Sequence, residues 1–190
     1  MMSTYKKNLE LLTKNNVYSK EMEHDACGVG LIASTEGKKS REVVEYGIEA
    51  LKAVWHRGAV DADGKTGDGA GIHLEIPKDF FVEKIEVTGH THDGSDICVG
   101  MIFLPRNDYA SQESCKTIVE SELTKNDFSI YGWRQVPVNP KVLGEKALQT
   151  MPEIIQVLFK ANNKNLLDKD LERKIYETRK KIENKAFNLS

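Results

Sequence analysis

Cys27-Gly28-Val29-Gly30-Leu31-Ile32-Ala33-Ser34 is the stretch on which the fold reading turns. An apolar run from Val29 to Ala33 follows the cysteine directly, so residues 27–34 are expected to form a short buried strand with Cys27 at its mouth. Before it lies a polar leader of 26 residues. If that leader is removed, Cys27 carries a free α-amine beside its thiol. A thiol needs a base to become a nucleophile at neutral pH. An α-amine titrates near pKa about 7.7–8.0, close to the pH at which a general base is most useful. Amine and sulfur would then form a nucleophile and base within one residue. The competing reading of the same residue is a plain core cysteine, a small buried hydrophobe.

Working outward, Glu36 to Lys39 reads as a turn. Ser40 is the expected N-cap of a helix in which Val43, Val44, Ile48, Leu51, Val54 and Trp55 recur at helical spacing, with Gly58 as its stop. Residues 56–71 (HRGAVDADGKTGDGAG) hold five glycines and three aspartates and must be a loop. Ile72, Leu74 and Ile76 alternate with polar residues as a strand would, up to Pro77. Phe80-Phe81-Val82 starts a short helix or a cover, and residues 88–96 form a polar loop. Strands are expected at 97–104, 128–138 and 153–159, and helices at 111–126 and 166–187. The long last helix should turn Leu167, Leu171, Ile175, Ile182 and Phe187 inward. The order β, α, β, β, α, β, β, α places strands in adjacent pairs, which favours an antiparallel α+β fold over a doubly wound parallel sheet.

The 190 residues are 39% hydrophobic and 29% charged, with 27 basic and 29 acidic side chains and a net charge of −2. That balance gives no reason to expect nucleic acid or a membrane surface as partner. Residues 1–26 have no apolar core of a secretory signal, and they are read as a mobile leader or propeptide. Three scattered cysteines, Cys27, Cys98 and Cys115, suit a reducing cytoplasm and make no disulfide framework or zinc knuckle.

Other motifs fail on spacing. Gly58 and Gly64-Lys65-Thr66 enclose five residues where a P-loop needs four. Gly28-Val29-Gly30-Leu31-Ile32-Ala33 follows no strand, as a dinucleotide fingerprint would require. Asp61, Asp63 and Asp68 start like a calcium loop, but Lys65 and Thr66 occupy its amide and glycine slots. His90, His92 and Asp93 read as an exposed turn between Gly89 and Gly94 before they read as a metal set. No histidine among residues 24, 56, 73, 90 and 92 is marked as a partner for Cys27.

Asp25-Ala26-Cys27-Gly28-Val29-Gly30, the run 56–71 and Ile76-Pro77-Lys78-Asp79-Phe80-Phe81 together closely resemble the start of glutamate synthase large subunits, whose first domain is a class II glutamine amidotransferase. The resemblance runs from Cys27 to the end of the chain. It implies a four-layer αββα sandwich of antiparallel sheets, the N-terminal nucleophile hydrolase fold. It implies that Cys27 becomes the first residue and attacks the side-chain amide of L-glutamine. A γ-glutamyl thioester forms, ammonia leaves to aminate 2-oxoglutarate elsewhere in the enzyme, and water releases glutamate. Arg57 and Gly58 match the Arg-Gly pair that the family places beside the nucleophile, as substrate-binding or nucleophile-orienting residues.

FMN and an iron–sulfur cluster are implied for the full-length enzymes and no cofactor or metal for this chain. The implied partners are the remaining domains of the large subunit, with the small subunit as a further candidate. The family's glutamine-gripping arginine and its oxyanion Asn-Gly pair lie beyond Ser190. The domain at 27–190 is therefore expected to be C-terminally incomplete, and the chain alone to have no useful glutaminase activity. A non-catalytic regulatory or interaction module on the same scaffold is the alternative. An amide hydrolase acting on penicillins or bile-salt conjugates would share the nucleophile but not the 56–71 loop.

Overall fold

A computed structural model describes residues 2–14, 28–55, 58–166 and 168–189. The chain divides into two compact units, Met1–Gly58 and Ala59–Ser190.

In the first unit, α1 spans Met2–Lys14 and α2 spans Arg41–Ala53. The α1 helix lies within the stretch 1–26 that the sequence reads as a mobile leader or propeptide. For α2 the expected cap is in place: the Ser40 hydroxyl accepts the Val43 amide at 3.4 Å. Glu42 sits in the first turn and Lys52 in the last, matching the helix dipole. The helix ends at Ala53, earlier than the expected stop at Gly58. Val54 closes it, and the Gly58 amide donates to the Trp55 carbonyl at 3.0 Å in a separate turn.

Residues 28–34 correct another expectation. They form no strand, and Val29 and Leu31 are 93% and 88% exposed. Apolar character alone does not make a strand, because its amides and carbonyls need a neighbour to bond. No described segment pairs with these residues.

The second unit is built on a three-stranded antiparallel sheet of order β1-β3-β2, with β1 at Cys98–Leu104, β2 at Phe128–Gln135 and β3 at Glu153–Ala161. Cys98 pairs with Phe159 and Leu104 with Glu153 across one ladder, and Phe128 with Ala161 across the other. Every ladder is antiparallel, as the strand-pair order implied, and the α+β class stands.

Alternation along β3 sends successive residues to opposite faces. Val157 and Phe159 join Cys98 and Phe128 under α4 (Tyr109–Lys125) and α6 (Asp168–Phe187), where Val119, Leu123, Leu171, Ile175 and Ile182 meet them. Leu158 points the other way, into a second core with Ile97, Tyr131 and the α3 residues Phe81 and Ile85 (α3, Lys78–Val87). Phe187 departs from its expected inward position and is exposed, whereas Thr178 is buried and donates to the Lys174 carbonyl. Leu167 lies outside the described residues.

The β2–β3 ladder shifts register between Ile130 and Gly132, and Gly132 has φ 148°. A side chain at Gly132 would meet the Thr88 Cβ and Cγ2 at 2.8 Å. Glycine is thus fixed here both by backbone conformation and by close approach.

Residues 72–76 are also not a strand. Ile72, Leu74 and Ile76 are 40–45% exposed, and no described residue offers them a ladder. A short helix, α5 (Glu145–Thr150), follows a 3-10 turn at Pro140–Val142; neither was foreseen from the sequence. Among the described residues no helix is long and apolar enough to cross a membrane.

Candidate functional site

The glycine- and aspartate-rich loop is ordered by its own side chains. Val60 and Gly67 form an isolated antiparallel bridge, and the Asp61 amide donates to the Thr66 carbonyl at 2.7 Å. The Asp68 carboxylate accepts the Ala59 amide at 2.8 Å, closing the base of this small hairpin. At its tip, Asp63 Oδ1 accepts the Lys65 and Thr66 amides at 2.9 and 2.7 Å, and Asp63 Oδ2 accepts the Thr66 hydroxyl at 2.6 Å. Gly64 completes the turn at φ +68°. These bonds hold the Asp63 carboxyl well below the usual carboxylate range, first through the Thr66 hydroxyl and then through the Lys65 and Thr66 amides. The aspartates that resembled a calcium loop are therefore acceptors for their own backbone.

The tip rests on the start of α5. Lys146 pairs with Asp61 at 2.6 Å, and the Glu145 amide adds to the stabilisation of the Asp63 anion. This is a cap delivered from a distant loop, since Gly144 at the N-cap has no side chain of its own.

A second polar centre surrounds Asp93. Its carboxylate accepts from Tyr131 Oη at 3.1 Å and Lys160 Nζ at 2.7 Å, and pairs with Lys164 Nζ at 3.1 Å. Lys160, followed by Ser95 and Lys164, lowers the Asp93 pKa. Burial, assisted by Asp93, raises that of Tyr131. His90 Nδ1 lies 3.2 Å from the Thr88 hydroxyl, and His92 Nε2 lies 2.8 Å from the Ser95 carbonyl. The three residues considered as a metal set thus serve a turn. Among the described residues, no three His, Cys, Asp or Glu side chains gather as a metal site.

The description of the class-II glutamine amidotransferases fits residues 27–190. The chain belongs to this family. It is 52% identical over 182 residues to the glutamate synthase [NADPH] large chain of Azospirillum brasilense, a match covering 96% of this chain and 12% of that protein. It is 42% identical over 162 residues to the ferredoxin-dependent glutamate synthase 1 of Arabidopsis thaliana, covering 85% of this chain and 10% of the other. With the ferredoxin-dependent glutamate synthase of Pyropia yezoensis the identity is 38% over 175 residues, covering 91% and 11%. The chain spans about a tenth of the length of these curated relatives.

In this chain the residue that opens the family match is Cys27. Cys27 and Arg57 both lie outside the described residues, so of the three sequence-derived site residues only Gly58 has a described position. Gly58 is exposed, and a Cβ there would stand 3.3 Å from the Trp55 carbonyl oxygen. Of the other two cysteines, Cys98 is buried and Cys115 half-buried. Burial, followed by Asp96 and Glu172, pushes the Cys98 thiol up to about 11, which makes it a poor nucleophile. Sequence reasoning missed the part played by Gly144 and Lys146. Nothing within a few residues of either signals a partner some 80 positions earlier.

Proposed function

We propose that this chain carries the glutaminase reaction of a glutamate synthase, with Cys27 as nucleophile. The observation that carries this reading is the family match, which begins at Cys27 itself and extends through residue 190. Cutting the Ala26-Cys27 bond frees the amine, and residues 1–26 act as the propeptide. The Cys27 amine takes the thiol proton, and the sulfur attacks the glutamine carboxamide. The proton passes to the departing nitrogen, ammonia leaves, and a thioester remains. Water, with the amine again as base, breaks the thioester to give glutamate and restores the thiol. Arg57 or the Gly58 carbonyl orients the amine: in a full-length enzyme Arg57→Ala should slow glutaminase turnover, and unchanged turnover would leave Arg57 only a loop-locking role.

The finer architecture we assign is the four-layer αββα sandwich, in which α4 and α6 on one face of the β1-β3-β2 sheet supply an outer helical layer. In longer relatives the ammonia would be used on 2-oxoglutarate with FMN and an iron–sulfur cluster. Among the described residues, Cys98 lies in an apolar cluster and no three His, Cys, Asp or Glu side chains gather as ligands for an iron–sulfur cluster.

The purified chain should begin at Cys27 by intact mass. Carried in a full-length glutamate synthase, it should gain one equivalent of a diazoketone analogue of glutamine, a label lost in Cys27→Ala. A folded protein that keeps residues 1–26 and takes up no label would refute the reading and favour a non-catalytic module.

A further inference from the structure

The β1 strand is a sheet edge without an edge's usual defences. Charges, prolines, bulges or a covering element keep such edges from pairing with other chains. The β2 edge has three of these: a register shift between Ile130 and Gly132, a charge at Arg134, and the Thr88 hydroxyl on the Tyr131 carbonyl at 2.8 Å. The seven residues of β1 include no charge and no proline, and they pair with β3 in unbroken register. Among the described residues no backbone hydrogen bond reaches β1 except from β3. Along this open edge Met101 is 50% and Phe103 63% exposed.

The sequence around β1 is complementary to itself. Met101 is the middle residue of the strand. When two copies meet antiparallel about a two-fold axis there, Met101 lies opposite Met101, Val99 opposite Phe103 and Cys98 opposite Leu104. Apolar residues then face apolar residues throughout. Carried two residues past either end of the strand, the same register sets Asp96 against Arg106 of the second copy, and Arg106 against its Asp96. Both side chains are exposed, and neither joins an ion pair among the described residues. Opposite charges at both ends favour this register over a slipped one.

We propose that the open edge of β1 is an interface between two copies of this chain, which joins their three-stranded sheets into one continuous sheet about Met101. A ladder of seven residues is about 24 Å long, a small contact beside those of permanent dimers. Association is therefore weak and rises with concentration. It requires neither Cys27 nor the glutaminase reaction.

The test is sedimentation velocity of the full chain over a range of concentrations, under reducing conditions. The wild type should pass from monomer to dimer. Met101→Lys and Met101→Glu each place like charges face to face at the axis, and each should weaken association at least about tenfold. Mixed in equal amounts, the two variants should recover a dimer containing one of each. Cysteine variants read the same axis without adding charge. Cα atoms opposite each other stand about 4.5–5.5 Å apart, within disulfide reach, so Met101→Cys should cross-link two chains on oxidation. The two 103 positions lie about 14 Å apart in this register, and Phe103→Cys should not cross-link. A chain that stays monomeric at every concentration overturns the proposal. So does a mixture of the Lys and Glu variants that associates no better than either alone, or cross-linking of Phe103→Cys as readily as Met101→Cys.

Discussion

Leu158 gives the most direct check on the two-faced sheet. It is fully buried on the central strand, in the seam between the sheet and α3. Leu158→Ala deletes three carbons. Their transfer is worth roughly 2.4 kcal/mol at about 0.8 kcal/mol for each. The neighbours Phe81, Ile85 and Tyr131 are held by a helix and a strand and cannot fully close the gap, which adds on the order of 1 kcal/mol. The expected loss is therefore about 3–4 kcal/mol, a large share of the ~5–15 kcal/mol that holds an ordinary protein folded.

Val87, on the same helix, is 83% exposed, and Val87→Ala should stay within about 0.5 kcal/mol. Urea unfolding followed by circular dichroism is the assay. With a slope of about 2 kcal/mol per molar, the midpoint for Leu158→Ala should drop by nearly 2 M at unchanged slope. A loss under about 1 kcal/mol, or one no larger than that of Val87→Ala, would refute the placement of α3 against β3.

Gly132→Ala combines a strained backbone with a Cβ driven into Thr88, and it should cost at least about 2 kcal/mol in the same assay. An unchanged midpoint would show that the bulge tolerates a side chain. The Cys98 thiol rises from 9.0 to about 11 in the folded protein. Its contribution is therefore complete below pH 9 and is lost as pH climbs from 9 towards 11, by at most about 2–3 kcal/mol. Cys98→Ala should flatten that alkaline limb; a limb of identical slope would assign it to other groups.

Legibility in the sequence followed locality. The apolar run 97–104 closed by Pro105, the pair of strands around Trp133 and Ile155, and the 3.6-residue stripe of α6 are written in neighbouring residues, and they form nearly as expected. Residues 28–34 and 72–76 carry the same local signal and form no ladder, because a strand is completed by a partner its own residues do not encode. The α4 cap is Asp108, which accepts the Ser111 amide at 3.0 Å; reading Ser111 as the helix start missed it by one turn. The α5 helix left no trace, since its cap comes from Asp63. For the site, the loop character of 56–71 was evident from its composition, while the surface on which its tip rests was not.

Strand order also bears on how this polypeptide emerges from the ribosome. Among the described residues both β1 and β2 bond only to β3, the last of the three to be made, so this sheet has no complete ladder until residue 161 has been added. At about 5–20 residues per second, β1 waits roughly 3–13 s after its first residue is made. Its exposed Met101 and Phe103 spend that interval without the strand that pairs beside them. Early contacts with a chaperone should therefore centre on 98–104 and end when 153–161 arrives.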